Sequence, residues 1–160
     1  AADRERHAAV RHVHDQVHAV AVEPGPRDAG ADVGLVLVVA RQHLDPRVAA
    51  EARRLNLAYC PGVGTVSEAF AALEAGAAAL KLFPAEMIPP AAVKAMRAVL
   101  PREARLLPVG GIAPDTMAVY LRAGANGFGL GSALYKPGQA AAETGEKARA
   151  FMDAWSALQD

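Results

Sequence analysis

Apolar residues in this chain fall into short, nearly unbroken runs, separated by longer stretches in which alanine and larger apolar residues recur every three or four positions. The runs cover 33–40, 57–62, 78–84, 105–110 and 126–131. They are too short for core helices and do not alternate with polar residues, which predicts strands covered on both faces. Their starts lie roughly 21 to 27 residues apart, room for a strand, a helix and two loops. The pattern therefore predicts an α/β fold with a parallel sheet and about five clear βα units.

The intervening stretches carry helix signals of their own. Thr65 and Glu68 have capping-box spacing, Phe70 and Leu73 supply an apolar stripe, and Gly76 closes the helix. Pro114 fits a first helical position, Asp115 suits the positive end of the helix dipole, and Gly124 marks the stop. A last helix from about Gln139 places Phe151, Trp155 and Leu158 on one stripe. Residues 1–32 differ in character. All five histidines lie within the first 43 positions, whereas all four lysines lie at or beyond Lys81. His12, His14 and His18 could form a metal cluster, but helical spacing does not bring His12 and His14 to one face, so a solvated polar stretch is the expectation. The division is an atypical N-terminal segment, 1–32, and a βα domain, 33–160.

Composition narrows the partners. Lys+Arg and Asp+Glu each total 17, with 52% hydrophobic and 21% charged residues, so no charge excess draws the chain to nucleic acid or a membrane surface. No apolar run reaches about 18 residues and no leader pattern opens the chain, so a cytoplasmic location is expected. The single cysteine, Cys60, permits no internal disulfide, and zinc spacing is absent. A small-molecule partner is the expectation.

The chemistry centres on Lys81, set in the apolar run "ALKLFPAE". In an extended strand Ala79, Lys81 and Phe83 share one face, which inside a barrel is the interior. Desolvation lowers an ammonium's pKa and raises the neutral, nucleophilic fraction, which is how a lysine becomes a Schiff-base former. The alternative is a lysine that reaches solvent at a strand end or pairs with Glu86. Downstream, "LLPVGGIAPD" runs from a strand into Gly110 and Gly111, and "GFGLGSALY" into Gly129, Gly131 and Ser132. In (β/α)8 barrels the loops after the last two strands commonly hold phosphate on backbone N–H groups. Each glycine pair could equally be an ordinary tight turn. Upstream, "CPGVGT" ends the preceding strand with Pro61, Gly62 and Thr65, where N–H groups and a hydroxyl could hold a carboxylate. Thr65 could also be only a helix cap. Cys60 reads as packing, with no histidine evident to activate it.

The stretches "YCPGVGTVSEAFAALEAGAAALKLFPAE", "LLPVGGIAPD" and "GANGFGLGSALYKPG" together resemble the 2-keto-3-deoxy-6-phospho-sugar-acid aldolases, the "GLGSALYKPG" stretch pointing to the galactonate branch. The resemblance spans about residues 33 to 160. It implies a (β/α)8 TIM barrel, incomplete here at its N-terminal side, since such a barrel takes at least about 200 residues. It further implies a class I aldolase that cleaves 2-dehydro-3-deoxy-6-phosphogalactonate to pyruvate and D-glyceraldehyde 3-phosphate. Lys81 would carry the Schiff base; Gly110, Gly111, Gly131 and Ser132 would bind phosphate; Pro61, Gly62 and Thr65 would face the pyruvyl carboxylate, with Phe83 beside them. No metal or cofactor is implied, and homotrimers are. Neither the family's catalytic glutamate nor its first-strand arginine has a convincing counterpart; Glu23 mimics the glutamate only locally. The alternatives are a non-catalytic, phosphate-binding remnant of such a barrel, the gluconate-type aldolase, or another phosphate-binding barrel enzyme.

Overall fold

The computed structural model describes residues 19–22, 37–39 and 43–158. Its strands are β1 (Ala19–Val22), β2 (Leu37–Val39), β3 (Ala58–Cys60), β4 (Gly62–Val63), β5 (Leu80–Leu82), β6 (Leu106–Pro108) and β7 (Gly127–Leu130). Between them run helices α1 (Pro46–Arg54), α2 (Val66–Glu74), α3 (Pro90–Val99), α4 (Met117–Arg122) and α5 (Ala141–Ser156), with a single 3-10 turn at Ala85–Met87. β2 pairs in parallel with β3, β4 with β5, and β5 with β6. A parallel bridge from Val109 to Gly129 adds β7.

β3 and β4 are one line interrupted at Pro61, which has no N–H to donate. The break is local, because β5 pairs along its whole length: Ala78 N–H donates to Tyr59 O at 2.8 Å and Lys81 N–H to Pro61 O at 2.9 Å. The described strands thus form part of a barrel-type α/β wall, with the helices packed on its outer face. That face carries the main core, in which Leu80, Leu82, Leu106 and Phe128 meet Ala69, Ala72, Val93, Met96, Met117 and Tyr120. Phe128 stands edge-to-face between Tyr120 and Trp155, with ring centroids 6.4 and 6.2 Å away. The inner face carries a separate cluster of Cys60, Ala79 and Leu107. The two-residue period of the strand sorts the apolar runs into these layers.

Four expectations are corrected. The sheet is not wholly parallel: β1, from the N-terminal segment where no strand was expected, pairs antiparallel with β7, Ala19 opposite Leu130 and Val22 opposite Gly127. The free edge of β7 offers unpaired N–H and C=O groups, and a four-residue stretch is enough to pair with them. Phe70 is exposed, while Ala69 and Ala72, both at 0% exposure, carry the buried stripe of α2; small side chains let the helix lie close to the sheet. α4 starts at Met117, not Pro114, because the Thr116 hydroxyl bonds back to Ala113 and holds 113–116 as a turn. Leu158 lies past the end of α5 and is exposed, leaving Phe151 and Trp155 as that helix's inward contacts. The capping box, by contrast, is present: Glu68 N–H donates to Thr65 Oγ1, and the Glu68 carboxylate accepts from Thr65 N–H. Gly76 and Gly124 close α2 and α4 with φ of +88° and +103°. The histidine triad 12, 14 and 18 and Glu23 lie outside the described residues; within those, no cluster of potential metal ligands occurs.

Candidate active site

Lys81 sits in the centre of β5, and the ladder fixes what lies beside it. Gly62 on β4 is its partner on one side and Leu107 on β6 its partner on the other. The three residues form a row across the inner face, and the glycine contributes no side chain to it. Lys81 is only 3% exposed and is the buried charged residue of the described chain. Its Nζ lies 4.5 Å from the centroid of the Phe83 ring, one step further along the same face. Burial pulls its pKa below the ordinary lysine value, with the Cys60 sulfur acting weakly in the opposite direction. No carboxylate contributes to that shift, and the pairing with Glu86 does not occur. Burial likewise pushes the Cys60 thiol up to about 11, which makes it inert at neutral pH and leaves it a packing residue.

The turn after β4 was expected to offer amides to a carboxylate, and it holds one belonging to the chain. Glu68 Oε2 accepts from Gly64 N–H at 2.8 Å, Thr65 N–H at 2.9 Å and the Thr65 hydroxyl at 3.0 Å. These bonds hold the Glu68 carboxyl below the usual carboxylate range. The Gly64–Thr65 corner thus holds the carboxylate of Glu68 as a capping box, with Thr65 as the helix cap. Pro61 and Gly62 are buried beneath it. Sequence reading singled out Thr65 and missed Glu68 as the occupant, although the capping-box spacing pointed to the contact.

At the same end of the sheet, the turns after β6 and β7 lie side by side, because Val109 bridges Gly129 and each strand runs two residues further to Gly111 and Gly131. Gly110 and Gly111 have φ of +101° and +62°, a backbone that glycine adopts without strain. Beyond β7, Leu134 N–H and Tyr135 N–H both donate to Gly131 O, at 2.9 and 3.0 Å. The amides of Ser132 and Ala133 therefore lie at the open start of that turn, with the Ser132 side chain exposed. Gln139 ties the following segment down, donating to Leu134 O and Thr144 Oγ1 and accepting from Lys147 Nζ at 2.8 Å. Glu86, weighed from the sequence as one alternative partner for Lys81, lies across Gly110 and Gly111.

Along this edge the chain therefore has a buried amine, a carboxylate-holding corner on one flank and two glycine turns on the other. The family of KDPG and KHG aldolases matches residues 26–149. The chain is 41% identical over 138 residues to 2-dehydro-3-deoxy-6-phosphogalactonate aldolase of Escherichia coli (strain K12), covering 84% of this chain and 65% of that protein. It is also 41% identical, over 128 residues, to a probable 2-dehydro-3-deoxy-6-phosphogalactonate aldolase of Rhizobium meliloti (strain 1021), covering 80% of this chain and 60% of the other. A solved structure described as native KDPGal superposes with a TM-score of 0.74 at 41% identity, over 77% of this chain and 59% of its own. The chain thus spans less than two thirds of the relatives it matches. With the family matched over most of its length, the chain belongs to the KDPG and KHG aldolases.

Proposed function

We propose that the chain is a class I aldolase in which Lys81 attacks the keto carbon of a phosphorylated 2-keto-3-deoxy sugar acid. The observation that carries this reading is the Lys81 amine: 3% exposed, without a counter-ion among the described residues, and lowered in pKa by burial. The neutral amine adds to the C2 carbonyl and water leaves; the C4 hydroxyl then gives up its proton as the C3–C4 bond breaks into the protonated imine, the aldehyde departs, and the enamine left on Lys81 is protonated at C3 and hydrolysed to pyruvate. The imine is itself the electron sink, so this route needs no metal ion or cofactor. The corner at Pro61, Gly62 and Thr65 takes the pyruvyl carboxylate once the Glu68 carboxylate gives up the donors it holds there, and Phe83 lies against the substrate chain. Gly110, Gly111, Gly131 and Ser132 take the phosphate.

The names of the two relatives support 2-dehydro-3-deoxy-6-phosphogalactonate as substrate. We propose pyruvate and D-glyceraldehyde 3-phosphate as the products, and galactonate catabolism in the cytoplasm as the setting. A homotrimer is the assembly proposed. Among the described residues no helix is long and apolar enough to cross a membrane. Borohydride reduction in the presence of pyruvate, followed by peptide mass mapping, tests the mechanism: an N-carboxyethyl adduct on Lys81 is expected, and its absence rejects the reading. The competing reading is a non-catalytic phosphate-binding domain. It is favoured by the lack, among the described residues, of a carboxylate acting on Lys81, because a proton relay needs a group within hydrogen-bond reach. That reading predicts phosphate binding without trapping.

A further inference from the structure

The Gly110–Gly111 turn is covered by a carboxylate of the chain itself. A methyl group on Gly110 would lie 2.6 Å from Oε2 of Glu86, and one on Gly111 would lie 2.9 Å from its Cγ and 3.1 Å from its Cδ. The Glu86 side chain thus rests along the bare backbone that a phosphate would have to approach. Its own backbone is pinned. Ala85 N–H donates to Val109 O at 2.8 Å, Ile88 N–H to Ala85 O at 3.0 Å, and the buried Tyr120 hydroxyl reaches Ala85 O at 3.1 Å and Ile88 O at 3.4 Å. Ala85 and Ile88 are 1% and 5% exposed, so the turn is anchored on both sides of Glu86. The side chain is not anchored: it is exposed and, among the described residues, engages in no hydrogen bond or ion pair. A fixed backbone therefore carries a carboxylate that is free to rotate, and exposed side chains change rotamer in picoseconds to nanoseconds.

From this geometry we infer that Glu86 is a built-in cover of the phosphate end: its carboxylate shields the glycine turn in the unliganded chain and opposes any anion that enters before it swings out. The inference rests on the phosphate-end assignment made above. A like charge a few ångströms away disfavours a bound dianion most where solvent is scarce. A ligand held at both ends, by its carboxylate and by Lys81 as well as by its phosphate, overcomes that opposition. A free inorganic anion, held at one end alone, does not. Glu86 thus weakens the hold of the turn on any phosphate, and only a ligand with further contacts keeps a useful affinity.

Titration calorimetry of the 160-residue chain with inorganic phosphate at pH 7.5, compared with Glu86→Gln and Glu86→Ala, tests this. Gln keeps the shape and removes the charge; Ala removes both. The expected result is a Kd lower by about tenfold or more in both variants. An unchanged or higher Kd in Glu86→Gln overturns the inference, as does tightening in Ala alone, which would make the cover steric. Failure of all three proteins to bind phosphate overturns it as well. Pyruvate trapping on the unmutated chain is read separately: if trapping fails while the phosphate effect stands, the aldolase reading falls and the role of Glu86 at the turn survives.

Discussion

Replacing Lys81 with methionine should abolish pyruvate trapping and, at the same time, make the fold more stable. The amine is 3% exposed and has no counter-ion among the described residues, so at neutral pH the folded chain bears the desolvation of a charge or holds the group neutral against its intrinsic preference. Either way it is worth about 1–3 kcal/mol against folding on the scale of buried polar groups without partners. Stacking of Nζ on Phe83 at 4.5 Å returns about 0.5–1 kcal/mol, and only while the amine is charged. Burial therefore wins, and methionine fills the same slender space with apolar atoms. The pH dependence gives a sharper reading. The folded-state pKa of Lys81 is lowered, so between that value and the ordinary 10.5 the unfolded chain binds a proton that the folded chain does not. Stability contributed through this group must then rise with pH across that window, at up to about 1.4 kcal/mol per pH unit, and Lys81→Met must lack the rise. Urea unfolding followed by Trp155 fluorescence measures both, since Trp155 is the single tryptophan and packs on Phe128. If the variant is less stable at pH 7, or if the stability difference between the two proteins is flat from pH 7 to 10, Lys81 is a solvated or paired ammonium. The proposed chemistry then has no basis.

Three further outcomes follow from the packing. Gly129→Ala should destabilise by about 1–3 kcal/mol, because the new methyl runs into the Val109 side chain; in a Val109→Ala background most of that loss should disappear, and additive losses in urea melts would refute the contact. Thr65→Ala should lower stability by about 1 kcal/mol through the lost cap, and Glu68→Gln should flatten the acid limb of the stability curve. The sign follows from the lowered Glu68 pKa: its contribution is complete above about 4.5 and fades as pH falls through the folded value, so an unchanged acid limb would contradict the amide contacts. Tyr120→Phe removes the hydroxyl that reaches Ala85 O and Ile88 O and should lower Tm by about 2–4 °C, measured by calorimetry.

The strands beyond the first 40 residues were legible because fully buried parallel strands read as unbroken apolar runs, and every such run contains one. Lys81 was legible for the same reason, as a charge where the pattern allows none. What the sequence hid depends on direction and distance. Helix α2 turns its alanines inward because close contact with the sheet matters more than side-chain size, so Phe70 misled. The fate of Glu86 turns on a 3-10 turn of only three residues, Ala85–Met87, and no periodicity reveals which way a side chain leaves such a turn. β1 was missed because four residues carry too little pattern to stand out against a histidine-rich surrounding. The places of Glu68 at the Thr65 corner and of Glu86 across Gly110 and Gly111 could not be read, since a carboxylate in a sequence shows charge but not contact.

The row Gly62, Lys81 and Leu107 comes from three successive strands joined by short helical crossovers. Contacts of such modest sequence separation cost less loop-closure entropy than pairing of the chain ends would. The neighbourhood of the amine is in that sense self-contained: it is specified by the middle of the polypeptide. Substitutions ahead of β2 can accordingly accumulate without touching the row of Gly62, Lys81 and Leu107.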